Sequence, residues 1–321
     1  MNDQARPSIG GQAVMEGVMM NGRSHYAVAV RKTDGSIEAA LFDHGSMTER
    51  HKILSWPLIR GVIRFAESLI VGMKTLTYSA DFFMEEEEEE KKEPKGKLGR
   101  WWQEHGDSIT MGITIVLAVL LCLGLFVALP VAISRLLYTY IPSTYVMGIV
   151  EGIVRMLLFL LYMVLIAKMK DIQRTFEYHG AEHKVINCFE AGLPLTVENV
   201  KTCSRFNKRC GTSFLFIIML LSILLNALIQ VTNPGLRFLC HLALIPVIAG
   251  ASYEVLKFSA RSKSKIIDWL VSPGLMIQRI TTNEPDDQEI EVAIASVKTL
   301  LEKEHPQLIP ECFGEENLYE A

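Results

Sequence analysis

Between positions 109 and 256 the polar residues thin out and the apolar ones gather into four long runs. The run 109–129 holds no charge, 148–167 carries only Glu151 and Arg155, and 213–231 and 236–256 follow. A hydrocarbon core of about 30 Å takes roughly 20 helical residues at about 1.5 Å each, so every run predicts a membrane-spanning helix. Ahead of them, residues 24–41 alternate around Asp34-Gly35 in the manner of a β-hairpin. No equivalent alternation appears downstream, so any sheet should be small. From Pro57 to Met84 the period turns helical. Arg60, Arg64, Glu67, Lys74 and Asp81 share one face, and Leu58, Val62, Phe65, Leu69 and Leu76 the other. Such a helix lies in the membrane interface or packs against the bundle. Near the C-terminus, Pro285-Asp286-Asp287 opens a last helix with an Ile290, Ile294, Val297 and Leu301 stripe, and Pro306 lies just past its end.

The expected fold is mainly α, with a four-helix transmembrane bundle over 109–256. A cytoplasmic segment 1–84 with a small β-hairpin and an amphipathic helix precedes it, joined by a charged linker, 85–108. A cytoplasmic segment 257–321 with one helix follows. The run Glu85 to Glu90, continued by Lys91, Lys92, Glu93, Pro94 and Lys95, reads as a solvated linker.

Composition supports a membrane protein with soluble parts. Half of the 321 residues are hydrophobic and 21% are charged, below the roughly 25% of ordinary soluble domains. The formal net charge of −4 and pI near 6.1 give no sign of a nucleic-acid partner. Lys and Arg are distributed lopsidedly: 14 before the first run, 8 between the second and third, and 7 after the fourth. The other two connections hold one each, Arg135 and Arg237. By the positive-inside rule, both termini and the central loop 168–212 face the cytoplasm. Nothing before the first run is apolar enough for a signal peptide, so the N-terminus is expected to be retained. Cys188, Cys203, Cys210 and Cys312 fall in cytoplasmic segments and Cys122 and Cys240 in spans, so no disulfide framework is expected.

The central loop opens with Tyr178-His179-Gly180-Ala181-Glu182-His183-Lys184. On a helix, residues four apart face the same way, so His179 and His183 can share a divalent metal, zinc above all. Glu182 lies close to that face and could activate water as general base. This is the H-x-x-E-H arrangement of the inverted zincins. The plain alternative is an exposed polar turn with two incidental histidines. A third ligand is needed, and Glu254 is the first choice: it lies near the cytoplasmic end of the fourth run, 71 residues after His183. Its plain role would be a carboxylate paired with Lys257. Cys210, at the mouth of the third run, is the second choice. Cys203 and Cys210 could instead complete a structural Cys₂His₂ site, although their spacing is wide for one. His179 stands about ten residues past the second run, roughly 15 Å along a straight helix. The site therefore requires a bend near 175–178 or a helix returning along the surface.

Several motifs together resemble one family. They are Gly10-Gly11-Gln12-Ala13-Val14-Met15-Glu16-Gly17-Val18-Met19-Met20, Trp56-Pro57 with Arg60-Gly61, Tyr178 to Lys184, Cys210-Gly211-Thr212-Ser213-Phe214, Ser272-Pro273-Gly274, and Gln278 to Asp287. The array resembles the YqhQ-like family of bacterial multipass membrane proteins, a domain of unknown function expected to comprise metal-dependent enzymes. The resemblance implies a multipass protein of the bacterial inner membrane with a metal-dependent activity, and it brings no substrate with it. It also draws Gln12, Glu16 and Arg60 toward the candidate site. Glycines 10, 11 and 17 would permit close backbone approach, and a purely structural turn is the alternative.

A second polar group lies inside the runs. Counting from the span ends puts Glu151, Arg155, Asn226 and His241 in the outer third of the bilayer. Intramembrane charges mark either an ion or solute path or a clamp between helices. Three functional readings follow. The first is a membrane-embedded metal-dependent hydrolase acting at the cytoplasmic interface on a lipid-linked or membrane-protein substrate. The second is a transporter or channel built on the polar layer. The third is a noncatalytic assembly protein with a structural metal. Nothing in the sequence specifies an oligomeric state.

Overall fold

The computed structural model describes residues 6–45, 54, 56–84, 97–137, 139–141, 143–208, 210–231, 233–261 and 264–314. The acidic run 85–90 and the charges that follow it to position 96 lie outside the described residues. Four strands come first: β1 (Gly10–Val14), β2 (Gly17–Asn21), β3 (His25–Arg31) and β4 (Ile37–Asp43). Then come α1 (Ile59–Met84) and α2 (Lys97–Leu123), which passes through a π-helical turn at Gly124–Ala128 into α3 (Leu129–Leu137). The remaining helices are α4 (Thr144–Ile166), α5 (Lys170–Glu190), α6 (Val197–Thr202), α7 (Gly211–Ala227), α8 (Pro234–Arg261), α9 (Lys265–Thr281), α10 (Asp287–Glu304) and α11 (Ile309–Phe313). The chain divides into two compact units, one of residues 1–83, 163–218 and 249–321, the other of 84–162 and 219–248.

In the first unit the four strands form an antiparallel meander, β1-β2-β3-β4. The expected hairpin is β3–β4, turning through Asp34-Gly35 with Gly35 at φ 84°, where a side chain would be strained. The other hairpin, β1–β2, is the glycine-rich N-terminal motif itself. Its alternation is absent from the sequence because β2 is buried on both faces. Val18 and Met20 enter a core with Tyr178, Val185 and Phe189 of α5 and Ile290, Val297 and Leu301 of α10. On the opposite face Val14, Met19, Val28 and Val30 meet Val71, Tyr78 and Phe82 of α1. A sheet covered on both faces needs apolar residues at consecutive positions, which erases the period of two.

Helix α10 begins as its acids suggest. Asp286 accepts from the Glu289 N–H at 2.9 Å, and the Glu289 carboxylate accepts from the Asp286 N–H at 2.9 Å, a capping box. Helix α1 matches the expected span, but it packs on the sheet through Val71, Tyr78, Phe82 and Phe83, none of which belongs to the anticipated stripe. Leu69, Ile70, Met73 and Leu76 remain exposed on it. Its first turn crosses α8 closely: a Cβ on Gly61 would lie 2.7 Å from the Gly250 carbonyl oxygen, and one on Gly250 2.6 Å from that of Leu58. Two glycines let the backbones meet there.

Among the described residues, three stretches are long and apolar enough to cross a membrane: Ile109–Leu137, Tyr145–Ile166 and Gly235–Ser259. The four-span expectation differs at the run 213–231. It forms α7, whose 17 residues reach roughly 26 Å and whose apolar part is only Phe214–Ala227. The first stretch is longer than expected because Pro130 does not end it. The chain relaxes into the π-helical turn just before the proline.

Candidate metal centre

Helix α4 stops at Ile166, and Met169 is extended (ψ 132°) before α5 starts at Lys170. The break therefore lies at 167–169, ahead of the expected bend at 175–178. Helix α5 then runs unbroken through the motif, so His179 and His183 stand one turn apart with ring centroids 4.4 Å from each other.

Both imidazoles are oriented by backbone carbonyls. His179 Nδ1 donates to the Thr281 oxygen at 2.8 Å and His183 Nδ1 to the Arg205 oxygen at 2.6 Å. A carbonyl can only accept, so each Nδ1 carries a proton, and in the neutral ring each Nε2 then keeps its lone pair. The Nε2 atom of His179 lies 3.2 Å from Cys210 Sγ, and that of His183 is buried with no hydrogen-bond partner. Ligand atoms of His179, His183 and Cys210 all lie within 4.8 Å of one another. Thr212 donates to the Cys210 sulfur from its N–H at 3.4 Å and its hydroxyl at 3.3 Å, which fixes the position of that sulfur. Two imidazoles with their Nδ1 atoms already tied, together with a cysteine sulfur, are a donor set suited to zinc.

Glu254, the first choice for third ligand, is elsewhere engaged. Its two carboxylate oxygens accept from one edge of the Arg60 guanidinium, Oε1 from Nε at 2.6 Å and Oε2 from Nη2. This pair accounts for Arg60 and Glu254 together, and Cys210 stands at the histidines instead. Cys203 donates to the Asn199 carbonyl at 3.5 Å and packs against the core, so it is not part of the His179, His183 and Cys210 group.

Glu182 is buried, with Oε2 3.7 Å from His179 Nε2. Burial pushes its carboxyl up to about 7, against the opposing pull of His179. The β1 backbone passes directly over it: a Cβ on Gly11 would lie 2.7 Å from Glu182 Oε1. Gln12 rests on the other face, where a Cβ on Gly72 would lie 2.7 Å from its Oε1. Glu16, in the β1–β2 turn at φ 46°, accepts from Arg174 Nε at 2.6 Å and from the Tyr178 hydroxyl at 3.2 Å. It ties the hairpin to α5 and does not line the cavity. That cavity, of about 570 Å³, holds His179, Glu182, His183 and Cys210, with Gln12 and Arg64 at its polar wall and Phe65, Phe214 and Leu256 among its apolar lining.

Two residues missed in the sequence hold the ligand loop. Asn207 N–H donates to Gln278 Oε1 at 2.9 Å, and Gln278 Nε2 donates to the Asn207 carbonyl at 2.7 Å. That buried exchange sets the loop leading to Cys210. Its only advance signal is that Gln278 falls inside one of the shared motifs.

In the second unit the four anticipated polar residues do gather, around Glu151. Arg155 lies 3.2 Å from its carboxylate and His241 Nδ1 3.3 Å. Arg237, assigned to a connection in the sequence, is a further partner at 2.8 Å. Arg155 also donates to Ser222 Oγ at 2.9 Å and to the Phe126 carbonyl at 2.7 Å, four residues before Pro130, which has no N–H to offer that carbonyl. Asn226 completes the group through Ser222 at 2.9 Å.

Residues 56–303 match the family described as "Protein of unknown function (DUF1385)". The chain is 34% identical over 308 residues to the "Uncharacterized protein YqhQ" of Bacillus subtilis (strain 168), covering 93% of each. No solved structure matches it. A family match over residues 56–303 and similarity of that extent mean that this chain belongs to the YqhQ-like family.

Proposed function

We propose that this protein is a membrane-embedded, metal-dependent hydrolase whose site faces the cytoplasmic interface. The observation that carries the reading is the convergence of His179 Nε2, His183 Nε2 and Cys210 Sγ, with both Nδ1 atoms committed to backbone carbonyls. His179, His183 and Cys210 would hold zinc, which when bound acts as a Lewis acid toward water and a carbonyl oxygen. Glu182 takes a proton from water as general base and returns it to the leaving group. Its raised carboxyl, near 7, suits both directions of transfer at neutral pH. Thr281 and Arg205 keep the histidines in the ligating tautomer through their carbonyls. The substrate is lipid-linked or a membrane protein, in keeping with the apolar lining from Phe65, Phe214 and Leu256.

The Lys and Arg distribution supports a multipass protein of the cytoplasmic membrane with both termini inside. A shared side for these segments is supported by packing, since residues near positions 9–29, 178–200 and 290–312 form one core. An even number of crossings then separates the central loop from the C-terminal segment. If Gly235–Ser259 crosses, Gly211–Ala227 must cross as well, short as it is. The deciding experiment is metal analysis of purified protein beside His183→Ala and Glu182→Gln. Zinc retained by Glu182→Gln with activity lost supports the enzyme. Activity that survives Glu182→Gln points to a structural metal and an assembly role.

A further inference from the structure

We propose that β1 is the docking edge for an extended polypeptide, which adds to the sheet beside Glu182 and has one of its amide bonds hydrolysed there. The inference deepens the hydrolase reading and rests on it. Among the described residues β1 pairs only with β2, so its other edge carries unpaired backbone groups. Which residues these are follows from the ladder. The Arg31 N–H donates to the Glu16 carbonyl and the Gly22 N–H to the His25 carbonyl, each at 2.9 Å. Even-numbered residues of β2 therefore bond toward β3, and Gly17, Met19 and Asn21 bond toward β1. Their register partners are Val14, Gln12 and Gly10. By the alternation of an antiparallel ladder, Gly11 and Ala13 turn N–H and C=O to the free edge.

That edge is placed at the candidate centre. Gly10, Gly11, Gln12 and Ala13 line the same cavity as His179, Glu182, His183 and Cys210. Gly11, whose backbone groups point outward, is the residue lying on the Glu182 carboxylate. Natural sheets guard free edges with charge, proline or a bulge. The opposite edge, β4, carries Glu38 and Asp43, whereas β1 reads Gly-Gly-Gln-Ala-Val and carries none of these. An added strand gains main-chain hydrogen bonds from Gly11 and Ala13 and places alternate side chains into the apolar lining. An acyl chain offers those backbone groups nothing, so the chemistry favours a polypeptide over a lipid. In the step itself a water oxygen bonds to the peptide carbonyl carbon while Glu182 accepts a water proton. The C–N bond then breaks, and the proton passes to the departing amine, leaving a free carboxyl end.

The test uses the full chain in phospholipid nanodiscs with zinc added. In the Glu182→Gln protein, β-casein as an unfolded probe should slow hydrogen exchange at Gly11 and Ala13 by about tenfold, but not at Gln12. Wild-type protein should cleave members of a proteome-derived peptide library, read as new termini by mass spectrometry. Ala13→Pro removes one outward N–H without touching the β2 ladder. It should lower kcat/KM about tenfold through KM, with zinc content unchanged. Hydrolysis of p-nitrophenyl acetate with neither cleavage of the library nor protection of β1 overturns the polypeptide inference and leaves the hydrolase standing. Protection at β1 with no hydrolysis of any substrate overturns the hydrolase reading, and with it the edge's role in catalysis.

Discussion

Across 31 residues of chain, Cys210 Sγ comes within 3.2 Å of His179 Nε2, while the other imidazole nitrogen of His179 is held by Thr281. A sulfur so close to an imidazole lone pair is a weak hydrogen bond without an ion and a shared ligand edge with one. The second arrangement would also give a partner to the neighbouring His183 Nε2, which is buried and unpartnered, where an orphaned acceptor costs about 1–3 kcal/mol.

Metal content should therefore sort the candidate ligands. Purified protein is expected to hold about one zinc per chain, the stoichiometry of a single mononuclear site. His179→Ala, His183→Ala and Cys210→Ser should each abolish it, read by plasma mass spectrometry after dialysis. Glu254→Gln should keep the metal and instead lose stability, because Arg60 is left without its carboxylate. Metal loss in Glu254→Gln but not in Cys210→Ser would reverse the assignment.

Glu182 gives the metal-free protein a pH signature. Its folded carboxyl, near 7, stands above the ordinary 4.5. The folded state thus holds a proton that the unfolded chain releases between these values. The stability linked to Glu182 is full below about pH 4.5 and falls as pH rises toward 7, by on the order of 3 kcal/mol. Thermal unfolding at pH 5 and 7.5 should show a drop in wild type that is smaller in Glu182→Gln. Zinc should reduce the drop, since a cation favours the carboxylate. Equal slopes in the two proteins would refute the assignment.

The polar group around Glu151 is no simple pair, and its variants should say so. Arg155→Leu leaves Glu151 with Arg237, so it should cost less than Glu151→Leu, which strands two guanidinium groups. Losing the single anion of a buried cluster is expected to cost about 3–5 kcal/mol. Replacing Glu151, Arg155 and Arg237 together by Leu should recover much of that in a thermal melt in detergent. A folded triple variant that abolishes a measurable ion flux would favour transport over a clamp.

Reporter fusions test the orientation. A fusion after Tyr140 should report the outside and one after Glu198 the inside. An external signal at Glu198 would remove the cytoplasmic placement of the metal centre.

What was legible in the sequence was local and periodic. The apolar runs specified long helices because a span must bury about 20 residues in succession. The spacing of His179, Glu182 and His183 specified a shared face because a helix repeats every 3.6 residues. Pro285, Asp286 and Asp287 specified a helix start because a proline in the first turn and acids beside it suit a helix's free N–H groups and dipole. Each of these is a relation among residues only a few positions apart.

Other features had no such local record. The β1–β2 hairpin lost its alternation because both faces are covered, and only the packing of α1, α5 and α10 explains that. By position Glu254 was the first choice for third ligand and Cys210 the second. The choice turned on Arg60, which lies 194 residues from Glu254 and engages its carboxylate, and on the Asn207–Gln278 exchange that sets the loop leading to Cys210. Arg237 looked like a connection residue until its guanidinium was found beside Glu151. The sequence by itself determined which residues share a helix face, because a repeat is written in neighbouring positions. Only the tertiary structure decided which distant groups meet, because the partners that orient them are largely backbone carbonyls, such as those of Thr281 and Arg205, which every residue possesses and no side chain announces.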